Sequence, residues 1–161
     1  MMNLPSRRWA VAATVGALAA ISAIDPTVSP PQAKDDTFIS AQTSGILNIE
    51  GGECFADPAY SRQAAEVIVR YEPCEEGADN QSYGFLRAAD GPWQRPELAA
   101  FAWEGCGNFF ERRWPDRSGG RLDFYPILPT EQTWADGDRT VMCVVYRPHG
   151  RLTDSVLPQI R

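Results

Sequence analysis

The sequence has a single histidine, His149, and its four cysteines include no C-x-x-C pair. Both shortages exclude chemistry. A Cys–His or Ser–His–Asp nucleophile would have to be built on His149, which stands between Pro148 and Gly150 where a turn is the expected role. Zinc sites and thioredoxin-like redox centres ordinarily use a close cysteine pair, so neither is expected. The sequence has no glycine-rich phosphate cradle and no internal repeat. No cluster of Lys and Arg with interleaved aromatics interrupts a chain of 21 acidic and 15 basic side chains. A net charge of −6 repels a phosphate backbone, which argues against nucleic acid as a partner. Asp136-Gly137-Asp138 suggests calcium but lacks the loop of spaced oxygen ligands closed by Glu, so turn chemistry is expected there. No catalytic residue, metal ligand or cofactor is assigned from the sequence.

What is present begins with an export pattern. Arg7 and Arg8 give a positive start, and residues 9–24 form an uncharged apolar run. At helical rise that run reaches roughly 24 Å, short of a hydrocarbon core of roughly 30 Å. Residues 1–24 therefore read as a signal peptide or N-terminal membrane anchor, with Ile21-Ser22-Ala23 as a tolerable cleavage site. Ser6-Arg7-Arg8 also looks like a weak twin-arginine signal, while the lack of a Cys after the run excludes a lipoprotein anchor. The expected location is extracytoplasmic, secreted or held to the membrane by that segment alone. Residues 25–45 carry Pro26, Pro30, Pro31 and the acidic pair Asp35-Asp36 among polar side chains, which predicts a flexible linker. The folded domain is expected over 46–157.

In an oxidising compartment Cys54, Cys74, Cys106 and Cys143 most simply form two disulfides. Three connectivities are possible; Cys54–Cys74 with Cys106–Cys143 is favoured because each bond then ties neighbouring elements. Alternation predicts a strand over 65–71, with Val67, Val69 and Tyr71 on one face, and a second strand over 82–88 antiparallel to it. Residues 96–113 read as the main helix. Pro96 and Glu97 open it, Arg112 and Arg113 complement its last turn, and Leu98, Phe101, Ala102, Cys106, Phe109 and Phe110 form one stripe. Gly105 and Gly107 weaken it and leave room for a close neighbour. Further on come a strand over 122–127, a helical turn over 130–135 and a final short strand over 151–156. Residues 141–147 are almost continuously apolar, the mark of a central strand covered on both faces. The predicted fold is α+β: an antiparallel sheet of about four to six strands, one main helix of about 96–113 packed on one face, and two disulfides.

Several motifs recur in order along the chain: Gly52-Glu53-Cys54-Phe55, then Val69-Arg70-Tyr71-Glu72-Pro73-Cys74, a lone Cys106, the run from Pro129 through Trp134 to Cys143, and Gly150-Arg151-Leu152-Thr153-Asp154-Ser155. In that order they resemble the septum-formation-related domain of actinobacterial envelope proteins. The resemblance covers residues 52–155 and implies an exported or membrane-anchored domain linked to septum formation, with no defining catalytic mechanism. One departure stands out. Relatives often carry Pro-His and an acidic residue after the second cysteine, whereas here Cys74 is followed by Glu75-Glu76-Gly77, so any site using that histidine is absent.

Two function classes follow. The first is a non-enzymatic envelope domain binding a protein or cell-wall component, its working surface placed on Glu75, Glu76 and Asp79 together with Trp103, which lies off the helix stripe. The second is a peptidoglycan hydrolase using a carboxylate pair drawn from Glu53, Asp57, Glu75, Glu76 and Asp79. Convergence of such a pair in a cleft would favour the hydrolase. Trp134 is expected between the short helix and the sheet, Asp138 is a candidate ion-pair partner of Arg139, and Asn80-Gln81-Ser82 matches a glycosylation sequon placed in a polar loop, of little weight if the protein is bacterial.

Overall fold

The computed structural model describes residues 33–116 and 121–158. The expected signal or anchor and the linker as far as residue 32 lie outside them. Among the described residues no helix is long and apolar enough to cross a membrane.

Strand β6 (Thr140–Tyr146) runs through the middle of the molecule. Val141, Cys143 and Val145 point to one face and Met142, Val144 and Tyr146 to the other, and all six are buried. Its antiparallel neighbours are β4 (Asn80–Arg87) and β5 (Asp123–Ile127), and the two-residue β1 (Cys54–Phe55) adds to β4. The sheet order is β1-β4-β6-β5, so 140–146 is the interior strand that its composition predicts. A second, two-stranded ribbon joins β2 (Ala59–Ser61) to β3 (Glu66–Ile68).

One face of the sheet carries α1 (Arg95–Arg113), opened by Pro96 and Glu97 and followed by Trp114 and Pro115. Leu98, Ala102, Cys106 and Phe110, four residues apart, are its buried line. Phe109 flanks that line, and Phe101 is 41% exposed. The apolar stripe is thus narrower than the sequence suggests. Gly105 lets helix and sheet approach closely, since a Cβ there would lie 2.4 Å from Leu86 Cδ1. Both disulfides are formed, Cys54–Cys74 and Cys106–Cys143, each with its Cα atoms 5.3 Å apart. The second pins α1 to β6. Residues 131–135 form α2 (Glu131–Ala135), whose Thr130 cap and Thr133 bond reciprocally.

Three expectations are corrected. The linker was expected to reach residue 45, but Lys34, Ile39 and Ala41 are buried, and Ile39 and Ile46 pack with Phe55, Tyr125, Val144 and Tyr146 on the sheet face opposite α1. A central strand buried on both faces needs a second cover, and this strap supplies it. Its apolar residues are too few to register in composition, but Ile39 and Ala41 are spent inward. The strand over 65–71 shrinks to β3, which pairs with β2 and not with β4. Ala65, at φ 57°, closes a tight local hairpin that carries the segment away from the sheet and leaves Val67 and Tyr71 exposed. The final strand over 151–156 reduces to one bridge, Leu152 to Ala78. Beyond it the buried Gln81 side chain does a strand's work, donating to Gly52 O and Ser155 Oγ and accepting from Val156 N.

Candidate functional site

Glu75 and Glu76 stand exposed on a 3-10 turn (Cys74–Glu76) anchored through Cys74 to β1. Asp79 is committed: Oδ2 accepts from the Asp57 backbone N–H at 2.9 Å and Oδ1 from Arg151 Nε at 2.9 Å. Trp103 is half-buried at the other edge of the sheet. Its ring meets Phe124 of β5 edge-on at 5.4 Å, and its Nε1–H donates to Asp36 of the strap at 3.2 Å. Three strand spacings, roughly 14 Å, separate β1 from β5. Glu75, Glu76 and Asp79 thus stand on the β1 flank of the sheet and Trp103 on the β5 flank, where it bonds the strap through Asp36.

Other sequence candidates resolve into structure. His149 is exposed in its turn. Asp138 Oδ1 accepts from Thr140 N, while Arg139 takes Asp90 as its ion-pair partner and lays its guanidinium 3.9 Å over the buried Trp134 ring, so the Asp138–Arg139 pair is replaced. Among the described residues no group of three or more His, Cys, Asp or Glu is placed to hold a metal. Among the described residues, exposed apolar side chains stand on the ribbon at Tyr60, 65%, and its cross-strand partner Val67, 51%, just beyond it at Tyr71, 59%, and elsewhere at Leu47, 69%, Phe85 and Phe101.

The densest polar chemistry was not foreseen. Lys34, the only lysine in the sequence, is 7% exposed. Its Nζ lies 2.5 Å from Asp57 Oδ1 and 2.8 Å from Asn80 Oδ1. Three rings surround that nitrogen: Phe38 at 4.9 Å, Tyr146 at 5.1 Å and Tyr125 at 5.9 Å to their centroids. The register explains the assembly, because Phe55, Asn80, Tyr146 and Asp123 sit opposite one another across four strands and share a face. Asn80 is fully buried with every polar atom used: Oδ1 also accepts from Tyr125 O–H at 2.9 Å, and Nδ2 donates to Asp57 Oδ1 at 2.8 Å. The sequon asparagine is thus a core residue, closed to a glycosyl donor in the folded protein.

Burial holds the Lys34 amine below its ordinary range, opposed by the hydrogen bond and charge of Asp57. Burial likewise pushes the Tyr125 phenol well up, so it stays a donor. Lone polar residues inside an alternating strand gave no periodic signal. What could have drawn attention to them is Asn80-Gln81-Ser82 as a polar start to an otherwise apolar strand. Compared with known families, with curated proteins and with solved structures, the chain finds no match in any of the three.

Proposed function

We propose that the chain is an extracytoplasmic envelope domain that holds a protein or cell-wall partner, in connection with cell division and septum formation, without turning a substrate over. The observation that carries the reading is the ribbon, which projects Tyr60 and Val67 into solvent with Tyr71 exposed just beyond it, on a scaffold fixed by two disulfides. Aromatic rings held out by a stapled frame suit contact with a partner's apolar surface or a sugar face. The two closed disulfides suit an oxidising compartment, in keeping with the export pattern. The motifs of the resemblance fall on the frame itself. Gly52–Phe55 leads into β1, residues 69–74 return to it through the Tyr71–Phe55 bridge, and residues 129–143 build α2 and most of β6.

The hydrolase alternative requires a carboxylate pair open to a substrate. Asp57 and Asp79 do lie together, but Lys34, Asn80 and Arg151 occupy them. The test uses immobilised domain challenged with envelope extract and with purified peptidoglycan, alongside a Tyr60→Ser, Tyr71→Ser variant. Capture should fall by about tenfold, a change of about 1.4 kcal/mol, with thermal unfolding unchanged. Peptidoglycan turnover that vanishes on changing one carboxylate would replace this reading with the hydrolase.

A further inference from the structure

Lys34 and Asn80 lie 46 positions apart in sequence, yet amine and amide meet in a buried pocket with a carboxylate against both. We propose that they join in an intramolecular isopeptide bond, with Asp57 carrying the proton and Tyr125 holding the carbonyl oxygen.

Each part of an acyl transfer is in place. The nucleophile must be a neutral amine, and the hydrogen bond from Nζ to Asp57 Oδ1 is the path by which Lys34 surrenders its proton. Burial of the Lys34 side chain, 4% exposed, disfavours the charged form of the amine. The electrophile is Asn80 Cγ. Its oxygen accepts from the Tyr125 hydroxyl at 2.9 Å, a donor placed where negative charge develops as Nζ adds. The same Asp57 oxygen lies 2.8 Å from Asn80 Nδ2, the leaving nitrogen. The Nζ–Cγ bond forms, the Cγ–Nδ2 bond breaks, and a proton passes from Nζ through Asp57 to Nδ2, which departs as ammonia. A primary amide becomes a secondary amide with no oxidant, reductant or added cofactor. Asp57, with its side chain 29% exposed, gives the ammonia a way out, while Phe38 and Tyr146 shield the reacting nitrogen. Holding the groups in contact supplies the proximity such a reaction needs.

The test is peptide mass mapping of the purified full chain after reduction and alkylation. Cleavage after arginine places Lys34 in peptide 9–62, or a shorter form if a signal is removed, and Asn80 in peptide 71–87. The expected result is one branched species, lighter than the two peptides together by one ammonia. In Asp57→Ala and Lys34→Met the two peptides should separate at full mass. Separate full-mass peptides from the wild type, with Lys34 open to acylation after denaturation, would overturn the proposal. That measurement decides even where a variant fails to fold. A bond formed undiminished in Asp57→Ala would overturn the role given to Asp57.

Discussion

Gly45 stands at φ 89°, and a Cβ built on it would lie 2.2 Å from the Val69 carbonyl oxygen. The next-door contact is the reason: Val69 N donates to Ser44 O at 2.8 Å, so the strap and the stretch after β3 run backbone to backbone at this point. Gly45→Ala meets both a left-handed backbone and a backbone clash, and should destabilise the domain by about 3 kcal/mol in denaturant unfolding. An unchanged midpoint would mean that the strap is not part of the cooperative unit. Nothing in the sequence around Gly45 announces this. A glycine between Ser44 and Ile46 reads as a turn, and only the partner strand makes it indispensable. The same holds for Lys34 and Asn80. Each is an ordinary surface residue by type, and the pocket that buries them is assembled from four strands and the strap. Trp103 shows the converse: its place off the apolar stripe is real, but it is half-buried and its indole N–H donates to Asp36 of the strap, a segment whose composition reads as linker.

At the scale of elements, the two disulfides differ in access. Cys106 and Cys143 are both fully buried between α1 and β6, whereas Cys74 is partly exposed on its turn. Graded reduction followed by alkylation should therefore open Cys54–Cys74 first and trap a form that keeps Cys106–Cys143. Opening of the buried bond first would contradict the helix–sheet packing described above. Loops of 20 and 37 residues imply about 3 to 4 kcal/mol from each bond in the chain-entropy account. Elements with a strong local signal were legible: the main helix by its opening Pro96, its basic last turn and its four-residue steps, and β6 by its unbroken apolar run. The ribbon was not, because alternation over 65–71 describes a half-exposed hairpin as well as a sheet strand. What separates the two is the reversal at 62–65, where Ala65 takes a positive φ that its residue type does not advertise.

Across the whole molecule, three tyrosines set the alkaline limit. Burial raises the phenols of Tyr83, Tyr125 and Tyr146 above the ordinary value of 10.0. Above that value the unfolded chain gives up protons that the folded chain keeps, so stability is whole below about pH 10 and falls as pH rises beyond it. Lys34 acts in the opposite sense while its amine is free. Its lowered value makes the unfolded chain the better proton binder, so its contribution rises with pH up to 10.5. An alkaline titration should show tyrosinate absorbance from the three buried rings arriving together with loss of circular dichroism. Ionisation of those rings with the fold intact would show that they are less enclosed than described.

The ends of the sheet bear on how a partner can attach. Strand β5 carries Pro126, which offers no N–H, and the residue after it, Leu128, is already bridged by Ser40 and accepts from Ala41 N. On the far side β1 is two residues long, and Ala56 N and Glu72 N close its margin with bonds to Arg70 O and Cys54 O. A visiting strand is opposed at Pro126 and Leu128 on one flank of the four-stranded sheet and along β1 on the other. Recruitment by strand addition, and stacking of one copy on the next, are opposed at those points by the chain's own backbone. Recognition at this sheet must be a matter of side chains.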